Sequence, residues 1–376
     1  MDFSYTEEQT LLRNSVSKYL ADKYTFDSWR KFTRNDLGRD PAHWKQFAEL
    51  GLLAAPLPEE HGGLGGGAVD ASVVMEEFGK ALVVEPYVPT VIIGGGLLKH
   101  GGSDAQKSEW LNKIAAGETL MAFAFAEPQG RYNLADLTTT AKKQGGGYVL
   151  NGQKAVVVGA PWADQLIVTA RTSGGQRERK GVSVFLVDKK TKGVSSRDYP
   201  TVDGLRASEI TFENVEVPAT CVIGPADDGL PLIERVVDEA IAATCAEATG
   251  CMKVLVDTTV AYSKQRKQFG VPIGKFQVLQ HRMVDMFVNY EQSVSITLMV
   301  TLKLEESEAE RAKAASAAKV TIGKSGRFVG QQAVQIHGGM GMTDELNVGH
   351  YFKRLTMIDA LYGNVDYHLK RYAALS

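Results

Sequence analysis

Cysteine is scarce in this chain, with three in 376 residues, and Cys221, Cys245 and Cys251 form no CxxC pair and have no histidine at metal-ligand spacing. That excludes a disulfide framework and a zinc site as organising features. Cys245 and Cys251 fall within one helical pattern, where small apolar packing is the expected role. No apolar run reaches the ~20 residues a bilayer helix requires, so no membrane partner is expected. The opening Met1-Asp2-Phe3-Ser4-Tyr5 carries an acid where a signal peptide carries bases, and a cytoplasmic chain is the expectation. An excess of one charge is also missing: 42 Lys and Arg stand against 44 Asp and Glu, a net of −2. A surface built to collect nucleic-acid phosphates is therefore not expected, and the modestly basic stretch from Lys353-Arg354 to Lys370-Arg371 does not change that. Internal repeats and low-complexity tracts are absent as well.

What is present is an ordinary globular composition, 44% hydrophobic and 23% charged, in a chain long enough for two or three domains. The periodicity changes twice. From Thr6-Glu7-Glu8-Gln9, a capping box that satisfies free amides at a helix start, the pattern is helical to about residue 120, with glycine-rich loops such as Pro58 to Gly67 as interruptions. Gly63, Gly65 and Ala68 fit a loose dinucleotide fingerprint, but no β-branched strand precedes them and no strand-helix alternation surrounds them, which argues against that fold. Around residue 121 alternation takes over. Gly147 to Leu150 and Gln153 to Val158 flank Asn151-Gly152, a dipeptide suited to a hairpin turn. Gln165–Ala170, Val182–Val187 and Ile210–Val217 read as further strands of a compact barrel or sandwich. After Gly229 helical periodicity returns, with Ile233, Val236, Val237, Ala240, Ile241, Thr244 and Cys245 on one face, and an Ala-rich stretch from Glu305 to Val334 reads as a bundle helix. The expected class is α+β multidomain: a helical domain over 1–120, a β-domain over 121–228 and a helical bundle over 229–376.

Two clusters carry chemistry. Arg266-Lys267-Gln268-Phe269-Gly270 closes the first long C-terminal helix, with Phe276-Gln277 shortly after. Arg266 suits a phosphate, which its planar fork can clamp with two charge-assisted bonds, and Phe269 offers a ring to a flat base; a solvated helix end is the plainer alternative. Gln335-Ile336-His337-Gly338-Gly339-Met340-Gly341 is the second. Glycines let a backbone approach a bulky anion and point amides at it, although the same run also suits a helix C-cap. His337 has no second histidine placed to help it, so no metal site is expected.

With these residues in view, the sequence resembles the acyl-CoA dehydrogenase family along nearly its whole length. Pro58-Glu59-Glu60-His61-Gly62-Gly63, Glu127-Pro128, Asn151-Gly152-Gln153-Lys154, Ala163-Asp164, Val217-Pro218, Arg266 to Gly270, Gln277 and Gln335 to Gly341 occur in the family's order and approximate spacing. The resemblance implies an N-terminal helical domain, a β-domain and a C-terminal four-helix bundle, with FAD between them and shared across a subunit boundary. It further implies that Arg266, Phe269, Gln277, Gln335, Gly338 and Gly339 hold the ADP and pyrophosphate part of an FAD whose flavin sits in the neighbouring subunit.

The same comparison exposes departures. Family members remove the α-proton of an acyl thioester with a glutamate while the β-hydrogen leaves as hydride to flavin. Most place that glutamate just before Gly-Thr near the C-terminus, where this chain has Leu361-Tyr362-Gly363-Asn364; a phenol of pKa about 10 is a poor base at neutral pH. A second group places it on the long helix, ten residues before the glycine matching Gly250, and here that position is Ala240. The family's Thr-Glu-Pro and Gly-Ser-Asp become Ala126-Glu127-Pro128 and Arg131-Tyr132-Asn133, and its Trp-Ile-Thr becomes Val156-Val157-Val158.

The resulting expectation is a non-catalytic subunit of a heteromeric acyl-CoA dehydrogenase, a two-plus-two heterotetramer with no catalytic residue of its own. A catalytic partner subunit would bind most of the acyl-CoA, and an electron-transfer flavoprotein is the implied acceptor. The family includes such paired subunits for steroid side-chain and dicarboxylyl thioesters such as pimeloyl-CoA; the acyl group used here is left open. The alternative is a homotetrameric flavoenzyme with a displaced base, for which Glu247, Glu239 or Tyr362 would have to serve.

Overall fold

The computed structural model describes residues 4–375. Two compact units emerge, one from the segments up to Lys31, Ala68–Val83 and Ile241 onward, the other from Phe32–Gly67 and Val84–Ala240. Helices α1 (Glu7–Lys23), α2 (Phe26–Phe32), α3 (Pro41–Glu49) and α4 (Ala68–Ala81) come first, then a buried π-helical turn over Val88–Gly94, α5 (Gly95–Gly101) and α6 (Asp104–Ala115). The Thr6 capping box forms as expected: Gln9 N–H donates to Thr6 Oγ1 and Thr6 N–H to Gln9 Oε1, each at 3.2 Å.

The β-strands β1 (Met121–Ala124), β2 (Thr140–Gln144), β3 (Gly147–Val158), β4 (Gln165–Arg171), β5 (Val182–Asp188), β6 (Val194–Pro200), β7 (Arg206–Pro218) and β8 (Val222–Ile223) form one sheet in the order β6-β7-β3-β2-β4-β5-β8, with β1 parallel to β4. Every residue of β4 is buried, which is why it reads as an unbroken apolar run and not as an alternation. Leu150, Val157, Leu166, Phe185, Ile210 and Phe212 fill the core of this sheet.

Asn151-Gly152 is not a hairpin turn. β3 runs straight through it, and the hairpin sits earlier, where Gly145-Gly146 joins β2 to β3. The physical reason is a bulge: the pairing of β3 with β7 slips between Leu150 and Gly152, Gly152 adopts φ +149°, and a Cβ there would lie 2.6 Å from the backbone of Thr139. Asn151 Oδ1 accepts from the Asn214 amide at 2.8 Å, so the side chain that signals a turn is used to hold the bulge.

The helical unit is built on α7 (Leu230–Gln265, from Ile241 onward), α8 (Gln277–Leu302), α9 (Glu308–His337), α10 (Val348–Ala360) and α11 (Val365–Ala374). α8 and α9 run antiparallel, tied by Arg282 to Gln332 at 2.8 Å and by Ser325 to Asn289 at 3.1 Å. α4 and α7 cross at two glycines: a Cβ on Gly79 would lie 2.0 Å from the Glu247 carbonyl oxygen, and one on Gly250 would lie 2.0 Å from that of Glu76.

Candidate functional site

The six residues expected to hold a dinucleotide lie at one end of the helical unit. α7 ends at Gln265, and the next residues fold into a minimal hairpin in which Lys267-Gln268 pairs with Val271-Pro272. Its two turn residues, Phe269 at φ +54° and Gly270 at φ +81°, have the left-handed pair of angles of a type I′ turn. An aromatic residue is a poor choice there on conformational grounds, and the ring it displays is 93% exposed. Gln277 opens α8, while Gln335, Gly338 and Gly339 lie where α9 ends. Tyr262, in the last turn of α7, stacks on His337 at 4.3 Å, which ties the ends of α7 and α9 together.

The cluster has the properties of a site left open for an anionic dinucleotide. The side chains of Arg266, Gln277 and Gln335 are exposed and make no hydrogen bond among the described residues. A Cβ on Gly338 or Gly339 would meet nothing within 4 Å, so the backbone amides there face free space, and Gly338 takes φ +62°. A cationic fork, two amides, a bare ring and an uncovered glycine turn fit the phosphates and base of such a ligand. Arg266→Ala is accordingly expected to cost about 1.5–3 kcal/mol in dinucleotide affinity, with Arg266→Lys recovering only part. Titration with FAD or ADP checks this, and retention unchanged in the alanine variant contradicts the assignment.

The segment aligned with the family's commonest base position is firmly built. Tyr362 sits at φ +57° after the end of α10, and Gly363 at φ +113° leaves no room for a side chain, since a Cβ would come within 2.4 Å of Tyr367 and 2.6 Å of His368. The buried His368 Nε2 lies 3.0 Å from the Tyr362 carbonyl. Burial and the nearby Lys319 push the His368 imidazole down to about 3, so it stays neutral and the ring donates to that carbonyl. Lys319, fully buried, donates to the Ile358 and Asp359 carbonyls at 2.5 and 3.1 Å, placing a cation on the C-terminus of α10. Burial raises the Tyr362 phenol above its ordinary value; Arg354 opposes this and Glu247 adds to it. The phenol is un-ionised at neutral pH and so holds its proton.

Both alternative carboxylates are engaged. Glu247 on α7 is 3% exposed and takes the Arg354 guanidinium of α10 on both oxygens, Nε to Oε1 at 2.5 Å and Nη2 to Oε2 at 2.8 Å. Glu239 accepts from His100 at 2.8 Å and Arg235 at 3.3 Å. Ala240 is fully buried.

In the β-domain the structure adds residues whose roles the sequence did not reveal. Glu127 and Lys154, both of motif segments, form an ion pair of 2.7 Å with both side chains fully buried. The carboxylate also accepts from the Thr138 and Thr139 amides, the Thr138 hydroxyl and Gln129, while the ammonium also donates to the Phe125 carbonyl and Thr169. Burial pushes the Glu127 carboxyl up, but the Lys154 charge and these hydrogen bonds outweigh it and hold the group at about 2. Arg171 donates to the carbonyls of Ala135, Gln176, Glu178 and Lys180 at 2.6–2.9 Å, fixing the segment that carries Tyr132 to the loop after β4. Val156, where the family has tryptophan, occupies a second bulge of β3 at φ +52°, a strained angle for a β-branched residue, and is half exposed.

Comparison with known proteins identifies the class. Family models for the N-terminal, middle and C-terminal domains of acyl-CoA dehydrogenase match residues 6–118, 122–215 and 227–374. The chain is 31% identical over 354 residues to the probable acyl-CoA dehydrogenase YngJ of Bacillus subtilis (strain 168), covering 93% of this chain and 92% of that protein. Among solved structures, a variant of the Tcur3481-Tcur3483 steroid ACAD superposes with a TM-score of 0.89 at 27% identity, covering 98% of this chain and 97% of that one. The FAD complex of PigA does so with 0.92 at 26%, covering 100% and 98%. The chain belongs to the acyl-CoA dehydrogenase family, an oxidoreductase family, and has its three-domain fold of N-terminal helices, middle β-domain and C-terminal helical bundle.

Proposed function

We propose that this chain is the non-catalytic subunit of a heteromeric, FAD-dependent acyl-CoA dehydrogenase, completing the FAD site of a catalytic partner. The carrying observation is that neither family position for the base holds a carboxylate: one is Tyr362, with a protonated phenol, and the other is the buried Ala240. FAD, when bound, accepts the hydride that leaves the β-carbon of the thioester. Arg266, Gln277 and Gln335 would bind its pyrophosphate and ribose, Phe269 its adenine, and Gly338 and Gly339 would give the backbone close approach. Domains over 1–120, 121–228 and 229–376 would serve as the helical, β and bundle parts of each half-site in a two-plus-two assembly. An electron-transfer flavoprotein would accept the electrons, in the cytoplasm. The likeness to a steroid ACAD supports a bulky thioester as substrate.

The homotetrameric reading with Glu247 as base is disfavoured by the bidentate Arg354 pair, which leaves no oxygen of that carboxylate free of a cation. Flavin content and turnover separate the two. Purified alone, the chain is expected to hold little FAD and to dehydrogenate no acyl-CoA, and co-expression with an acyl-CoA dehydrogenase chain carrying the glutamate is expected to restore both. Tyr362→Glu adds no turnover when the partner's own glutamate is changed to glutamine, because Ala126, Val156 and Val158 still lack the family's flavin contacts. Turnover by the homogeneous chain, with one FAD per polypeptide, would establish the homotetramer instead.

A further inference from the structure

α8 is a poor solvent-facing helix. Its 26 residues include three charged ones, Arg282, Asp285 and Glu291, and it exposes Val278, Val284, Phe287, Val288, Val294 and Leu302. Val284 is 57% and Phe287 51% exposed. Between α8 and the second half of α7 runs a groove of about 660 Å³, its floor formed by Val256, Val260, Ala261, Met283, Val284 and Phe287. Contiguous apolar surface of this kind marks an interaction site.

The charges at its margin indicate what covers it. Asp257 and Lys264 both line the groove and stand seven residues apart on one helix face, symmetrically about Val260 and Ala261. A two-fold axis passing beside Val260 and Ala261 would set Asp257 of one copy opposite Lys264 of another, twice, with the small Ala261 side chains at the crossing. Asp257 is already paired with Lys253 at 2.6 Å, but its side chain is 60% exposed and has room for a second cation. Lys264 has no partner among the described residues. A surface complementary to its own image is the requirement of an isologous contact.

We propose that the α7–α8 groove binds the same groove of a second copy of this chain about a two-fold axis. The inference is independent of the cofactor reading, since the groove residues are not those assigned to the dinucleotide. It is tested on the full-length chain with Ala261→Cys. Next to the axis, the two introduced thiols fall within the Cα separation of roughly 4.4–6.8 Å that a disulfide needs, so mild oxidation should give a covalent dimer on a non-reducing gel, whereas Ser295→Cys should give none. Val284→Asp and Phe287→Asp should each weaken self-association at least a hundredfold by light scattering across a dilution series, and because both side chains are exposed the far-UV circular dichroism should not change. Wild-type chain that stays monomeric at every concentration, an Ala261→Cys chain that fails to cross-link, or a mass unaffected by both aspartates would each overturn the proposal. Cross-linking of Ala261→Cys to a co-expressed catalytic homologue but not to itself would overturn the second copy as the occupant.

Discussion

Lys154→Met is expected to destabilise the β-domain by about 3–5 kcal/mol, because it strands the Glu127 carboxylate in a site with no water and no cation. Such a loss is a large part of the stability of a typical domain, and urea unfolding followed by circular dichroism would read it as a lower midpoint. Glu127→Gln should cost less, since an amide oxygen can still accept from the Thr138 and Thr139 amides. The pair also sets an acid limit. The Glu127 carboxyl lies lower in the folded chain, at about 2, than its ordinary value of 4.5. Its contribution is therefore complete above pH 4.5 and is lost as the pH falls toward 2. Wild-type stability should decline through that window, and in Lys154→Met this part of the decline should vanish. A methionine variant as stable as the wild type would mean that the pair contributes nothing.

The same pair shows where sequence reading succeeds and where it stops. Glu127 and Lys154 both fall in segments that betray the family, yet nothing in a linear pattern says that residues 27 apart in sequence meet as a buried ion pair. The helical and β thirds were legible because their periods differ, and Arg266 and Phe269 because a cationic fork and a ring at a helix end are local features. The hairpin at Asn151-Gly152 was misread because the dipeptide's preference for left-handed angles serves a bulge as well as a turn, and only the partners of Asn151 and Gly152 across the sheet decide between them. Gly79 and Gly250 carry no signal either, although each is needed for the other's helix to approach. Sequence spacing placed Glu247 on nearly the same face of α7 as the family's base, but the cation that occupies it comes from α10, more than a hundred residues away.

Arg354→Met tests that last pairing and, with it, the rival mechanism. Removing the guanidinium leaves Glu247 charged and buried, and a loss of about 3–5 kcal/mol in stability is expected. Replacing both partners with apolar residues, Glu247→Leu with Arg354→Met, should return much of it, because a buried pair exchanged for well-packed apolar groups is often neutral or stabilising. A double-mutant cycle in chemical denaturation should then give a coupling of roughly 2 kcal/mol or more. A catalytic Glu247 makes a different prediction. As a base it would lose turnover on conversion to glutamine while stability changed little, and Arg354→Met would shift the pH dependence of the rate by releasing the carboxylate from its cation. In the co-expressed complex the expected result is turnover per folded complex unaltered by Glu247→Gln, with a lower unfolding midpoint. Turnover abolished at an unchanged midpoint would place the base on α7 and make the chain a catalyst in its own right.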